Sequence, residues 1–230
     1  MFVAAHPDDI DMNCGGTIAE WISQGTRAFA LIITNGNKGG KRNTYNSSEL
    51  TIVRAKEQAK ALAILGFEEV VFLGKIDGEL CNAAELRPDI VRFIRKWKPE
   101  ALFTHDPSVM TFDWGEINHP DHRVVGEATI ACARPFAGGR LFYPEQLVEE
   151  GLTVHALEHL FFWETNTPNF FVDVEDFLPT KVAAAACHVS QYPDVPAIER
   201  WIYRRAKEIG KQADLQHAEC FKYIDLRPQF

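Results

Sequence analysis

The sequence predicts an α/β protein with a mostly parallel sheet. Short apolar runs such as FALIIT at 29–34 alternate with longer amphipathic stretches, which is typical of βαβ units. The apolar runs are continuous, as expected for strands that are covered on both faces. With 230 residues, 46% of them apolar, the chain can bury a sizeable core. One domain over 1–230 is therefore expected, although two small domains also fit this length.

Five short apolar runs are predicted to be strands, at 2–5, 29–34, 70–73, 101–104 and 157–163. Polar or turn residues follow these runs, and the second ends at Asn35-Gly36, a turn signal. In parallel sheets, ligands bind beyond the carboxyl ends of the strands. Polar side chains that follow the strands, namely His6, Asn35, Asp77 and His105, should therefore share one edge of the sheet.

Six stretches are predicted to be helices, at about 15–24, 49–65, 87–97, from about 119, at 179–190 and at 196–214. Gly66 caps the second helix, Pro88 suits the first turn of the third, and Pro99 ends it. Proline also stands at the start of both late helices. The polar, glycine-rich segment 37–48 is predicted to be a mobile loop, and 108–118 a second long loop.

Composition excludes several classes of protein. A net charge of −8 argues against nucleic-acid binding, and no apolar run approaches the roughly 20 residues that span a membrane. The five cysteines form no CxxC pair, so a thiolate zinc site is not expected and the thiols are predicted to be free. The start of the sequence lacks a basic stretch followed by an apolar one, so we expect a cytoplasmic protein.

Two polar motifs follow predicted strands. The first, AHPDDI, holds His6, Asp8 and Asp9; a stretch of this kind standing alone is more often a turn than a site. The second, HPDH, places His119 and His122 three residues apart near a helix start, where they share a face. Two histidines and one carboxylate form a known catalytic metal set, in which three protein ligands leave one position for water.

The two motifs together contain the groups that amide hydrolysis needs. His6, Asp9 and His122 would bind the metal, and Asp8 would accept a proton from water as general base. His119 would donate to the developing oxyanion or to the leaving amine. Asp121 would orient His119 or support one of the ligands.

These motifs resemble the PIG-L/LmbE-like family of zinc-dependent N-acetylglucosaminyl deacetylases, which includes enzymes of mycothiol and bacillithiol synthesis and diacetylchitobiose deacetylases. AHPDD followed by Gly15-Gly16, and HPDH at 119–122, are the specific matches. Less specific matches reach the end of the chain, at Thr34-Asn35-Gly36, Arg54 with Glu57, Asp77-Gly78, His105-Asp106-Pro107, Lys181 with His188-Val189-Ser190-Gln191, and Ala218-Glu219 with Phe221.

The resemblance implies a Rossmann-like domain with helices on both faces of the sheet. It also implies one Zn²⁺ held by His6, Asp9 and His122, with Asp8 as base and His119 as acid or electrostatic partner. Family members often form homo-oligomers, and the substrate would be an N-acetylated amino sugar. The chain departs from the family at Ile10-Asp11, where a glutamate is usual.

Four further residues are candidates for binding substrate. Arg54 and Asp77 follow from the weaker motifs, although a surface ion pair and a turn are alternative roles for them. Arg134 would bind a sugar hydroxyl or carboxylate. Trp114 would stack on a sugar ring, and packing within the protein is an equal alternative for it.

Two other functions remain open at this point. The same His/Asp/His set occurs in non-haem Fe²⁺ enzymes, so Fe²⁺ is an alternative metal. A metal-stabilised sugar-binding protein without turnover is the third possibility.

Overall fold

The computed structural model describes residues 1–40 and 44–227. Within these residues, seven strands form one sheet: β1 (Phe2–Ala4), β2 (Phe29–Thr34), β3 (Glu69–Lys75), β4 (Ala101–His105), β5 (His159–Trp163), β6 (Phe170–Asp173) and β7 (Ala218–Asp225). Their order across the sheet is β3-β2-β1-β4-β5-β7-β6. The first five in this order run parallel, so their carboxyl ends meet at one edge.

The predicted parallel sheet is therefore confirmed, but two strands were missed. β7 runs antiparallel to both β5 and β6, and these two strands complete the far side of the sheet. β7 reads AECFKYID, in which polar residues interrupt the apolar ones. Half-buried strands of this kind lack the continuous apolar run by which the buried parallel strands were predicted.

Seven α-helices accompany the sheet in the described part of the chain: α1 (Asp9–Ser23), α2 (Ser47–Leu65), α3 (Arg87–Trp97), α4 (Pro120–Ala131), α5 (Pro144–Val148), α6 (Leu178–Ala185) and α7 (Val195–Gly210). One core cluster packs α1, α2, α6 and α7 on one face of the sheet. A second cluster packs α3 and α4 on the other face. Helices thus cover both faces, and none of those described is long and apolar enough to cross a membrane.

Helix boundaries differ from the prediction mainly at α1, which begins at Asp9 rather than near Gly15. The backbone is non-helical at Cys14, so the helix has two parts, and the predicted start marks the second part. The carboxylate of Glu219 on β7 accepts hydrogen bonds from the backbone N–H groups of Gly16 and Thr17. This long-range cap stabilises the second part of the helix.

Other boundaries shifted by smaller amounts. α2 begins at Ser47, because Asn46 and Glu49 form a capping box there. α6 ends at residue 185 and α7 at residue 210, each four or five residues before the predicted end, and β5 begins at His159. The predicted mobile loop 37–48 includes residues 41–43, which lie outside the described part of the chain.

Candidate active site

The carboxyl ends of the parallel strands gather a cluster of histidines and carboxylates. His6 follows β1, Asp77 follows β3, His105 ends β4 and Glu164 follows β5. The start of α4 brings in His122 from above the same edge. All five are buried or nearly so, except for a partly exposed Glu164. The predicted shared edge is therefore present.

His6, Asp9 and His122 come together at the centre of this cluster. His6 Nδ1 lies 3.1 Å from His122 Nε2 and 3.6 Å from an oxygen of Asp9. The other carboxylate oxygen of Asp9 lies 3.4 Å from His122 Nε2. Two ring nitrogens and one carboxylate thus face a common point.

Two carboxylates hold the far side of the His6 ring. His6 Nε2 lies 3.2 Å from Asp77 Oδ1 and 3.3 Å from Asp121 Oδ2. Asp121 is fully buried and also accepts from the backbone N–H groups of Gly78 and Leu80. Of the two roles considered for Asp121, the contacts made by its carboxylate fit support of His6.

His105 and Glu164 contact His122 from the other side. The His105 and His122 rings stack with centroids 3.9 Å apart. The Nδ1 atoms of both rings lie 2.9 Å from Glu164 Oε2, and His105 Nε2 lies 3.2 Å from Asp9. Sequence reasoning gave neither His105 nor Glu164 a role in the site, although each stands at the carboxyl end of a predicted strand.

Asp8 lies beside the cluster with a φ of +104°, which L side chains rarely adopt. Its carboxylate accepts hydrogen bonds from Arg54 Nη2 at 3.0 Å and from the Tyr192 hydroxyl at 3.1 Å. Arg54 is buried and also donates to the carbonyl oxygens of Pro7 and Gly36. Because such a backbone persists only where neighbours hold it, these contacts point to a constrained functional position.

His119 is the exposed member of the cluster and caps the start of α4. Its Nδ1 accepts a hydrogen bond from the backbone N–H of Asp121 at 3.2 Å. The neutral ring therefore carries its proton on Nε2, which is a donor. Burial and the neighbouring His6 lower the pKa of His119, so this neutral form prevails at pH 7.

The carboxylates make the cluster favourable for positive charge. Burial alone lowers the pKa of His122, but Asp9 and Glu164 outweigh it and raise that pKa to about 10. Burial likewise lowers the pKa of His6, yet its three aspartate neighbours raise it well above the usual value. Burial raises the pKa of Glu164, and the histidines that face it lower it to about 2. Such a site also suits a metal cation in place of the protons.

Trp114 lies at the border of the cluster. Trp114 is 47% exposed, stacks on Phe112 with ring centroids 4.3 Å apart, and lies under the guanidinium of Arg205. It lines a cavity of about 410 Å³ whose wall includes Glu164. Trp114 is therefore accessible from a cavity that reaches the edge of the cluster.

Two of the residues predicted to bind substrate face the protein interior. Asp77 contacts His6, and Arg54 contacts Asp8 and two backbone carbonyls, as described above. Both side chains are buried. Their contacts indicate support of neighbouring groups rather than open contact with a ligand.

The structure places Arg134, which was predicted to bind substrate, away from the cluster. Its guanidinium donates to the carbonyl of Leu226, just beyond the end of β7. Residue 225 pairs with His159 at the start of β5, so this is the opposite edge of the sheet. α4 begins at the site and leads away from it, by about 20 Å at 1.5 Å per residue.

The fold and the cluster together define an α/β protein with a buried group of histidines and carboxylates that could hold a metal ion. The family model for PIG-L, described as GlcNAc-PI de-N-acetylase, matches residues 1–133, and the chain belongs to this family.

Two curated relatives match most of the chain. A diacetylchitobiose deacetylase from Thermococcus kodakarensis is 32% identical over 225 residues, which cover 96% of this chain and 81% of the relative. A 1D-myo-inositol 2-acetamido-2-deoxy-alpha-D-glucopyranoside deacetylase from Mycobacterium sp. (strain KMS) is 26% identical. The match covers 83% of this chain and 73% of the relative.

A solved structure agrees with the relatives. The N,N'-diacetylchitobiose deacetylase from Pyrococcus horikoshii, in complex with its inhibitor MPG, superimposes with a TM-score of 0.88 at 27% identity. The superposition covers 97% of this chain and 82% of the Pyrococcus chain. The fold is that of the deacetylases, and the chain is an enzyme of this hydrolytic class.

Proposed function

We propose that this chain is a metal-dependent deacetylase that removes the acetyl group from an N-acetylated amino sugar or its glycoside. The observation that carries the proposal is the convergence of His6 Nδ1, His122 Nε2 and the Asp9 carboxylate at 3.1–3.6 Å. Ligand atoms at about 2.0–2.2 Å from a tetrahedral Zn²⁺ lie about 3.3–3.6 Å from one another. The three groups fit one ion and leave a fourth position open.

The partners of the two histidines support this set of ligands. Asp77 and Asp121 face His6 Nε2, and Glu164 faces His122 Nδ1, so the neutral rings carry their protons there. The remaining nitrogens are then unprotonated and face each other, an arrangement that a cation stabilises. Two imidazoles and a carboxylate also suit Fe²⁺, so Zn²⁺ is the ion we propose and Fe²⁺ its alternative.

The chain's own residues divide the work of amide hydrolysis. When bound, the metal ion supplies Lewis acidity and lowers the pKa of water at the site. Asp8 accepts the proton of the attacking water, since its carboxylate lies next in sequence to the Asp9 ligand and is held by Arg54 and Tyr192. His119 donates from Nε2 to the carbonyl oxygen or to the departing amine.

Two aspartates have a positioning role in this scheme. Asp121 orients His6 through its carboxylate and fixes the tautomer of His119 through its backbone N–H. Asp77 shares the orientation of His6.

The names of the relatives support an N-acetylglucosamine ring as the reacting part of the substrate. The Thermococcus relative is named for diacetylchitobiose, and the Mycobacterium relative for a glucopyranoside of myo-inositol. Trp114, exposed at the border of the cluster, is the residue on which a second ring of the substrate would stack. A homo-oligomer and a cytoplasmic location stay predictions from the sequence.

An acetate-release assay tests the proposal. The chain is stripped of metal with a chelator, reloaded with Zn²⁺ or Fe²⁺, and incubated with N-acetylglucosamine, its inositol and malate glycosides, and diacetylchitobiose. We expect acetate from at least one of them with metal and none after chelation. Oxygen consumption with iron, without acetate, would replace the proposal by the oxygenase alternative. Binding of the sugars without any turnover would support the sugar-binding alternative.

A further inference from the structure

We propose that Gln58 is a positioning residue that holds Asp8 in its unusual backbone conformation, and that Asp11 with His188 fixes Gln58 in turn. The inference rests on the proposed function, in which Asp8 accepts the proton of water. Gln58 lies on α2, is fully buried, and does not reach the cluster of histidines. Its role is therefore to act through Asp8.

The side-chain amide of Gln58 connects the backbone of Asp8 to the carboxylate of Asp11. Its Oε1 accepts from the backbone N–H of Asp8 at 2.5 Å, and its Nε2 donates to both carboxylate oxygens of Asp11, at 3.1 and 3.3 Å. The Asp8 N–H is a donor and an ionised Asp11 carboxylate is an acceptor, and Gln58 presents an acceptor to the first and a donor to the second. An amide of this length satisfies both groups, and only one of its two orientations does so.

Asp11 is anchored from the side opposite to Gln58. His188 Nε2 lies 2.5 Å from Asp11 Oδ2, and both side chains are fully buried. A buried carboxylate needs a partner of opposite charge or several donors, and here His188 and Gln58 provide them. Contacts therefore run from His188 to Asp11, from Asp11 to Gln58, and from Gln58 to the backbone N–H of Asp8.

The backbone of Asp8 needs such an anchor. Its φ of +104° is unfavourable for a residue with a side chain, and α1 begins at the next residue, which is Asp9. Arg54 and Tyr192 hold the carboxylate of Asp8, whereas Gln58 holds its N–H. Without Gln58, the buried N–H loses its partner and the backbone can relax, which turns the carboxylate away from the water that it must deprotonate.

Asp11 is connected to the Asp8 backbone through the amide of Gln58. The inference therefore concerns a pair, Gln58 with Asp11, rather than the metal site.

The test compares two buried glutamines in the full-length, metal-loaded chain. Gln58→Met removes the hydrogen bonds to Asp8 and Asp11 at similar volume, and Gln146→Met is the control. Gln146 is also fully buried and makes the same kinds of bonds far from the site, accepting from Arg95 and donating to the carbonyl of Pro88. We expect Q58M to lower kcat at least tenfold with KM and metal content unchanged, and Q146M to lower stability without changing kcat.

A second pair of variants keeps the test decisive if Q58M folds poorly. Gln58→Glu keeps an acceptor for the Asp8 N–H but loses the donor to Asp11 and adds repulsion between two carboxylates. In the double variant with Asp11→Asn, the side-chain amide of residue 11 can donate to the carboxylate of residue 58, which restores a hydrogen bond between the two positions. We expect Q58E to lose at least tenfold in kcat and D11N/Q58E to regain most of that loss.

The results separate this inference from the proposed function. If the wild-type chain releases acetate while Q58M keeps full kcat, or loses metal in proportion to activity, the positioning role is wrong. The same holds if D11N/Q58E is as inactive as Q58E. If the wild-type chain releases no acetate from any of the sugars, the proposed function itself fails.

Discussion

His105 and His122 stack on each other with ring centroids 3.9 Å apart and an interplanar angle of 25°. Glu164 lies at the Nδ1 side of both rings, and Asp9 lies at the Nε2 side of both. The two rings are thus clamped between two carboxylates. Of the two rings, only that of His122 also faces His6. Glu164, Asp9 and His105 therefore orient His122, which is a proposed metal ligand.

The first prediction concerns Glu164, whose carboxylate lies 2.9 Å from His122 Nδ1 in this clamp. Glu164→Gln removes the negative charge of this side chain and keeps its size and shape. Partners of this kind typically contribute about 10–100-fold to metal affinity. We therefore expect Zn²⁺ affinity to fall by that order, as measured by competition with a chromogenic chelator.

The matched control for this prediction is Glu158→Gln. Glu158 is exposed and lies 4.0 Å from His159, away from the cluster. The Glu158→Gln variant should bind Zn²⁺ with the same affinity as the wild-type chain. Equal affinity of E164Q and the wild-type chain would show that Glu164 does not tune His122.

The second prediction separates the roles of the adjacent carboxylates Asp8 and Asp9. Asp8→Asn keeps size and hydrogen-bonding capacity but removes the proton acceptor, so kcat should fall by about 10²–10⁴ while bound metal stays near one per chain. Asp9→Asn should instead lose metal, because Asp9 faces both His6 and His122. Acetate release and metal analysis on the same samples distinguish the two outcomes.

A reversed result would exchange the two assignments. If D8N lost its metal and D9N kept it, Asp8 would be the ligand. Full activity of D8N would remove Asp8 from the mechanism and leave the proton acceptor to another group.

Much of this site could be predicted from the sequence because its parts lie in local motifs. His6, Asp8 and Asp9 stand together in AHPDDI, and His119 with His122 in HPDH. Their proximity in space followed from one rule, that parallel strands end at the same edge. The five parallel strands were recognisable because each contains a continuous apolar run, and four of them, β1, β2, β4 and β5, are mostly buried.

The rest depends on contacts between distant parts of the chain. Gln58 and His188 are single polar residues on predicted helices. His188 lies in one of the less specific family matches, but no local pattern indicates a partner for either residue. Their role arises only when the fold brings both to Asp11. Arg134 shows the converse: it follows the HPDH motif closely in sequence, but a helix of more than three turns leads away from that motif.

The third prediction concerns Gly126, where α4 passes close to the end of β4. A Cβ built there would lie 2.5 Å from the backbone carbonyl oxygen of His105, so one of the two elements must move. Gly126→Ala should lower the free energy of unfolding by about 1–3 kcal/mol, as overpacking does, and should weaken metal binding because His122 lies on the displaced helix. Chemical denaturation and a metal titration measure the two effects.

Gly138→Ala is the control for this steric argument. The nearest atom to a Cβ at Gly138 is 3.7 Å away, which is an ordinary contact. This variant should keep the stability and metal affinity of the wild-type chain. A G126A variant as stable as G138A would mean that α4 and β4 are not in the tight contact described.

The fourth prediction uses pH to examine the buried pair of His188 and Asp11. Burial lowers the pKa of His188, but Asp11 outweighs it, and Asp8 and Glu57 add to the effect, so the pKa in the folded chain is raised. A raised histidine pKa means that the folded state binds the proton more tightly than the unfolded state does. The resulting stability is fully present below about pH 6.5, the unfolded value, and is lost as pH rises through the folded pKa.

The free energy of unfolding of the wild-type chain should therefore exceed that of Asp11→Asn by more at pH 6 than at pH 9. Each unit by which the pKa is raised corresponds to about 1.4 kcal/mol of this difference. Measuring both chains at each pH cancels the titration of groups that they share, including the histidines of the proposed metal site. Asp176→Asn, at an exposed position, should show no such dependence. An equal difference between wild type and D11N at both pH values would mean that His188 is not charged in the folded chain.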